Sequence, residues 1–295
     1  MIKIIVPFVT AYLLKRLRVF KPEDARVLIN YVIYFAIPSI AFKSAYSLGI
    51  SSNVFKIVFL CWLVTFSLMG LGYLIGRAIG LKGGDLRLWV LMSSFGNTAF
   101  LGYPFTYNFF GNHGLSFAVI YDSLGSFVLV LTIGIFIAVG KTSLKALLSF
   151  PPSWALILGF LFRPWTLPTM LKEVLDFLAP SVFPVIIFAI GLAVDLSKII
   201  HNIKKSLLVE GFKIFVGGGL ALIYGLALGI STLPLRVAIL EASMPTMIFT
   251  IVLALKYKLD HHLATSCASL GILLSFFTAP FWVWFSKIII HLLTH

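Results

Sequence analysis

The sequence predicts an all-α polytopic membrane protein whose ten transmembrane helices form two inverted five-helix repeats. Three observations predict it. Of the 295 residues 60% are hydrophobic and 11% charged, with a mean hydropathy of +1.06, whereas a soluble domain carries about a quarter charged residues. Apolar runs bounded by charge, Gly or Pro recur ten times along the chain. Lys and Arg crowd into alternate breaks between those runs.

The runs fall at 2–17, 25–46, 54–80, 86–110 and 114–139, then 152–166, 171–196, 206–230, 234–256 and 261–290. A span needs about 20 apolar residues, so ten of them fill roughly two thirds of the chain and leave no separate soluble domain. Helices are the expected state because an open strand leaves backbone groups unsatisfied in lipid. The first and sixth runs are short and should stand straight or be eased by snorkelling flanks. Residues 1–17 lead into Lys15, Arg16 and Arg18 without a small-residue cleavage pattern, so they read as a span and not as a signal peptide. The formal charge of +13 is spread over the breaks, with no basic patch interleaved with aromatics, so lipid headgroups and not nucleic acid are its partner. Cys61 and Cys267 lie inside apolar runs and imply neither a disulfide nor a zinc site.

Orientation follows from the positive residues, which stay cytoplasmic. The breaks after spans 1, 3, 5, 7 and 9 hold Lys15, Arg16, Arg18, Lys21 and Arg26; Arg77, Lys82 and Arg87; Lys141 and Lys145; Lys198, Lys204, Lys205 and Lys213; and Lys256 and Lys258. These are sixteen of the 23 Lys and Arg. Both termini are therefore expected on the extracytoplasmic side of a cell membrane.

The halves also resemble one another. Ala36-Ile37-Pro38-Ser39-Ile40 parallels Leu178-Ala179-Pro180-Ser181-Val182, and Gly70, Gly80, Arg87 and Ser94 parallel Gly219, Gly229, Arg236 and Ser243. Five spans is an odd number, so two such units in one chain must be inverted, as in many transporters. The units are 1–140 and 151–295, joined by a cytoplasmic linker at 141–150. Chance matching of Gly and Pro in apolar sequence is the competing explanation, and the loop-charge alternation argues against it.

Spans 4 and 9 are poor material for unbroken helices. Span 4 contains Gly96, Asn97, Thr98, Gly102 and Pro104; span 9 contains Ser243, Met244, Pro245 and Thr246. Each proline removes a donor and clashes with the carbonyl four residues earlier, and Asn97 is a good cap for a helix beginning after it. Asn97 and Thr246 lie about 16–18 Å into their spans at a rise of about 1.5 Å per residue, halfway through a hydrocarbon core of about 30 Å. Half-helices starting there present free N–H groups and partial positive charge to an anion. The alternative is that the prolines only kink two packed helices.

Gly96 through Pro104, Val119-Ile120-Tyr121-Asp122, Glu241-Ala242-Ser243-Met244-Pro245 and Tyr34-Phe35-Ala36-Ile37-Pro38 resemble the signature stretches of the auxin efflux carrier family, prokaryotic branch, over essentially the whole chain. The resemblance implies the ten-helix fold of bile-acid symporters and sodium/proton antiporters. In it spans 4 and 9 cross at the substrate site, helices 3–5 and 8–10 move, and helices 1, 2, 6 and 7 form a scaffold. It further implies small organic anions as substrates, auxin in plants and dicarboxylates such as malate or malonate in some bacteria, carried by an elevator-like step. The chain lacks the long central loop of many plant members.

Asn97, Thr98, Pro104, Ser243, Met244, Pro245, Thr246 and Ser39 are thus the candidate substrate contacts, with Ser39 and Ser181 alternatively bonding back to a helix carbonyl. Asp122, Tyr121 and Glu241 are candidates for ion coupling or for positioning the site, because an intramembrane carboxylate is expensive and usually functional. Asp122 could instead fix helix packing, and Glu241 could pair with Arg236. Asp195 and Lys43 sit at span ends and should snorkel. His113, His261 and His262 read as solvated loop residues, not metal ligands. No cofactor is expected beyond coupling to H+ or Na+, and a homodimer stays open. No His-Glu-x-x-His, Gly-x-Ser-x-Gly or catalytic carboxylate pair argues for an enzyme. A sodium/proton antiporter or sodium-coupled symporter of the same fold is the competing transporter reading, although Asp122 is followed by Ser123 and not by a second acid.

Overall fold

A computed structural model describes residues 1–49, 51–139 and 150–294, so most of the expected linker at 141–150 lies outside the described residues. Helices follow the apolar runs closely. They are α1 (Ile2–Arg16), α2 (Pro22–Leu48), α3 (Ser52–Ala78), α4 (Gly83–Ser94), α5 (Thr98–Ala138), α6 (Pro151–Phe162), α7 (Thr169–Ala193), α8 (Leu196–Ala227), α9 (Thr232–Ala242), α10 (Phe249–Lys256) and α11 (His261–Thr294). No strand occurs among the described residues, and six helices are long and apolar enough to cross a membrane: α2, α3, α5, α7 and most of α8 and of α11. The protein is a polytopic helical membrane protein.

Gly111 divides α5. Its φ of 64° and ψ of −163° leave the helical region, a conformation open to glycine and strained for other residues, so the 41 residues form two arms meeting at a sharp bend. His113 therefore sits in the first turn of the second arm, and His261 and His262 in the first turn of α11, so all three belong to helices and not to loops.

Lipid offers no hydrophobic drive to press helices together, so close packing depends on small residues that let backbones approach. Two contacts illustrate it. Gly191 of α7 lies against the backbone of Phe8 and the methyl of Ala11 on α1, where an added Cβ would stand 2.5 and 2.8 Å from them. Gly159 of α6 lies in the same way against Phe42 and Ala45 of α2. Elsewhere Trp89 of α4 donates to the carbonyl of Gly72 on α3 at 2.7 Å, and Ser206 of α8 bonds Ser266 of α11 at 2.9 Å. Lys15 caps the end of α7 by donating to the Leu192 carbonyl at 2.9 Å. The outer faces carry Phe55, Phe59 and Phe66 on α3 and Val6, Val9 and Leu13 on α1, all exposed and suited to lipid.

Candidate functional site

Two chain breaks meet at the centre of the molecule. Between α4 and α5 residues 95–97 leave the helix, and between α9 and α10 residues 243–248 do the same. The two stretches run antiparallel as a single bridge of Gly96 with Thr246. Asn97 N–H donates to the Pro245 carbonyl at 2.7 Å, and Met247 N–H to the Phe95 carbonyl at 3.0 Å. Four of the backbone groups freed by the interruptions thus satisfy one another, which answers the cost of unwound backbone away from water. Gly96 suits this approach: a Cβ there would stand 3.1 Å from both the Met244 carbonyl and the Lys213 ammonium, a tight contact that either neighbour would have to relieve.

Three π-helical turns deliver further side chains to the break. Thr98–Gly102 opens α5, Tyr121–Ser126 carries Asp122 in its second arm, and Phe212–Val216 carries Lys213 in α8. Such turns add a residue to the helix and re-aim its neighbours, and they recur at functional positions. Asp122, 1% exposed, accepts from Thr98 Oγ1 at 2.5 Å and from Tyr103 OH at 2.8 Å. It stands at the positive end of α5, where a carboxylate is favoured. Glu210, fully buried, accepts the Thr246 N–H at 3.1 Å ahead of α10. Lys213, 2% exposed, donates to the Ala242 carbonyl at 2.7 Å and so faces the negative end of α9. Glu241, fully buried, accepts from Thr106 Oγ1 at 2.7 Å through Oε1.

The expected substrate contacts fall into separate groups. Thr98 is committed to Asp122, Thr246 Oγ1 donates to the Met92 carbonyl at 3.0 Å, and Ser243 Oγ to the Leu240 carbonyl at 2.8 Å. Met244 is buried beside them, and the Pro245 carbonyl is taken by Asn97. Only the Asn97 amide is left over, its Nδ2 buried without an acceptor. Ser39 of α2 donates to the Phe35 carbonyl at 2.8 Å and Ser181 of α7 to the Leu178 carbonyl at 2.6 Å, the back-bonding alternative in both cases, and Ser181 also bonds Tyr31 across helices at 2.9 Å. Tyr121 lines a small pocket of about 10 Å³ with Cys61, Thr65, Ser94, Lys213 and Glu241, room for about one water. Arg236 turns away from Glu241, donating to the Val283 carbonyl at 3.2 Å and lying over the Phe110 ring. Asp195 caps α8 through Ser197, and Lys43 pairs with Asp176 at the surface.

The sequence reading missed Glu210, Tyr103 and Thr106, and it misplaced Lys213. That lysine is buried within α8 at the break, so it does not belong with the loop charges used for orientation. A Glu-x-x-Lys pair inside an apolar run was the available signal.

A large cavity lies beside the crossover and not at it. It holds about 980 Å³ between the first arm of α5 and α1 and α7, with Pro104, Tyr107 and Asn108 on one wall and Phe183 and Pro184 on the other. Pro104 is the one expected contact that reaches it. Six residues separate Pro104 from Thr98, about 9 Å of helix, so the cavity stops short of the break. Tyr107 and Phe183 stack across it with ring centroids 4.4 Å apart.

A helical membrane protein with two interrupted helices bonded to each other at its centre belongs to the class of membrane transporters, and the relatives agree. The model of the family described as "Membrane transport protein" matches residues 1–141 and 134–283, and the chain belongs to that family, the auxin efflux carrier family. It is 32% identical over 290 residues to a protein named "Uncharacterized transporter" from Methanothermobacter thermautotrophicus, covering 95% of each chain. It is 29% identical over 298 residues to one of the same name from Methanocaldococcus jannaschii, covering 95% of this chain and 96% of that one.

Proposed function

We propose that this protein is a carrier of small organic anions, carboxylates in particular, across the cell membrane. It works by alternating access, with the anion received at the crossing of spans 4 and 9. The antiparallel bridge of Gly96 with Thr246 carries the reading, because it puts the start of α5 and the start of α10 side by side, the pairing of half-helix ends from which transporters build substrate sites. The Asn97 amide, buried and unpartnered, and the first turn of α5 supply donors for a carboxylate. On this reading the chain crosses ten times, because α4 with the first arm of α5, and α9 with α10, each make one interrupted span. The matching approaches of α7 to α1 through Gly191 and of α6 to α2 through Gly159 support two inverted halves with those four helices as scaffold. Sliding of the crossover past that scaffold would break the Tyr107–Phe183 stack.

The test is uptake into reconstituted vesicles from a panel of labelled mono- and dicarboxylates. Saturable uptake with counterflow is expected for at least one of them. Asn97→Ala or Pro245→Ala should abolish it while leaving folded protein in the membrane. Normal uptake by both variants would remove the site assignment, and exchange of sodium for protons without any carboxylate flux would favour an antiporter of the same fold.

A further inference from the structure

Four charged residues are buried among the described residues, and all four gather at the crossover: Asp122, Glu210, Glu241 and Lys213. Three carboxylates against one ammonium leave a surplus of negative charge at the depth where charge is most costly. The environments of the carboxylates decide where that surplus is relieved. Both oxygens of Asp122 accept hydroxyl donors at the positive start of α5. Glu210 leaves one oxygen, Oε1, without a partner, but its Oε2 takes a backbone N–H ahead of α10 and Lys213 stands one turn along its own helix. Glu241 has neither advantage. It lies in the last turn of α9, the negative end of that helix. Its Oε1 has only the Thr106 hydroxyl, and its Oε2 has no partner although it is fully buried.

Resting on the carrier reading above, we infer that Glu241 is the group that carries a coupled proton. Its unpartnered Oε2 takes one proton from water on one side of the membrane and returns it to water on the other, forming and breaking a single O–H bond. The structure keeps room for that oxygen. It lies against Gly102, where any Cβ would collide with it. Glu241 also borders the small pocket of about 10 Å³, enough for about one relaying water. The groups beside it are Asp122, Tyr103 and Tyr121 from α5, Cys61 from α3 and Lys213 from α8, while Glu210 of α8 faces Thr246 and Arg236 of its own helix turns to the Val283 carbonyl. From α11 the titratable side chains are His261, His262, Cys267, Lys287 and His291.

Two measurements test this. Infrared difference spectra of the protein in lipid, titrated with pH and without substrate, should show a carboxylic-acid carbonyl band that is absent in Glu241→Gln and restored, shifted, in Glu241→Asp. In vesicles clamped at zero potential and supplied with labelled malonate, a gradient of one pH unit should sustain about a tenfold accumulation for each proton carried. Glu241→Gln should lose that response and Glu241→Asp should retain part of it. A band unchanged in Glu241→Gln, or accumulation driven by a sodium gradient and indifferent to pH, overturns the inference. Should neither malonate nor any other carboxylate move, the carrier reading fails, while the infrared titration still decides whether Glu241 holds the proton.

Discussion

Removing the Asp122 carboxylate tests whether it organises the start of α5. In Asp122→Ala the hydroxyls of Thr98 and Tyr103, bonded to it at 2.5 and 2.8 Å, lose their acceptor while both residues are buried. An unsatisfied buried hydroxyl costs about 1–3 kcal/mol, so the two together cost about 2–6 kcal/mol. Part of this is offset because a buried charge also disappears, so a single variant cannot apportion the effect. A double-mutant cycle can. Thr98→Val should be costly in the native background and nearly neutral beside Asp122→Ala, with a coupling energy of about 0.5–3 kcal/mol. Tyr103→Phe should behave in the same way. The assay is reversible unfolding in mixed detergent micelles followed by circular dichroism. If Thr98→Val costs the same with and without Asp122, to within about 0.5 kcal/mol, the two groups do not act together and the proposed positioning is wrong.

Gly159→Leu and Gly191→Leu should each lower stability by about 1–3 kcal/mol or more, because a side chain at either position meets the backbone of the facing helix; an unchanged melting temperature would show that these helices are further apart than described. Cys61 and Cys267 are both fully buried and free, so a maleimide should label them slowly in membranes and rapidly after denaturation in dodecyl sulfate. Fast labelling of either in the native protein would contradict the packing of α3 or α11.

Much of the helical plan was legible because lipid imposes so strong a composition on the chain. The expected runs at 25–46 and 54–80 correspond to helices at Pro22–Leu48 and Ser52–Ala78. The breaks were legible too, since Gly96 and Asn97 in one span and Pro245 in the other are residues whose backbone chemistry resists an unbroken helix. What could not be read was the partner of each break. Lys213 looks like one more basic residue near a span end, and nothing local says that α8 turns it inward onto the Ala242 carbonyl. The π-helical turns at Thr98–Gly102, Tyr121–Ser126 and Phe212–Val216 have no sequence signature, yet they sit at the positions that face the crossover. Tyr103 and Thr106 were hidden for a similar reason: their role depends on which carboxylate of another segment lies opposite.

The charges at the crossover also constrain how an anion could be held there. The starts of α5 and α10 would be the natural anion sites, but each already has a carboxylate of the protein beside it, Asp122 at one and Glu210 at the other. The field left for a substrate is correspondingly reduced, and what remains is the Asn97 amide and the first turn of α5. An anion arriving there adds to a region in which carboxylates already outnumber the single ammonium. Neutralising Glu241 would relieve that repulsion, since Glu241 lies at the negative end of α9 and has a single hydroxyl donor, with neither the backbone N–H nor the lysine one turn along its helix that Glu210 has. Proton and anion should then strengthen each other's binding by the same factor, as linkage requires of two ligands that share one site. On the coupling proposed above, an anion bound without the proton would leave more charge uncompensated in the middle of the bilayer than the two bound together.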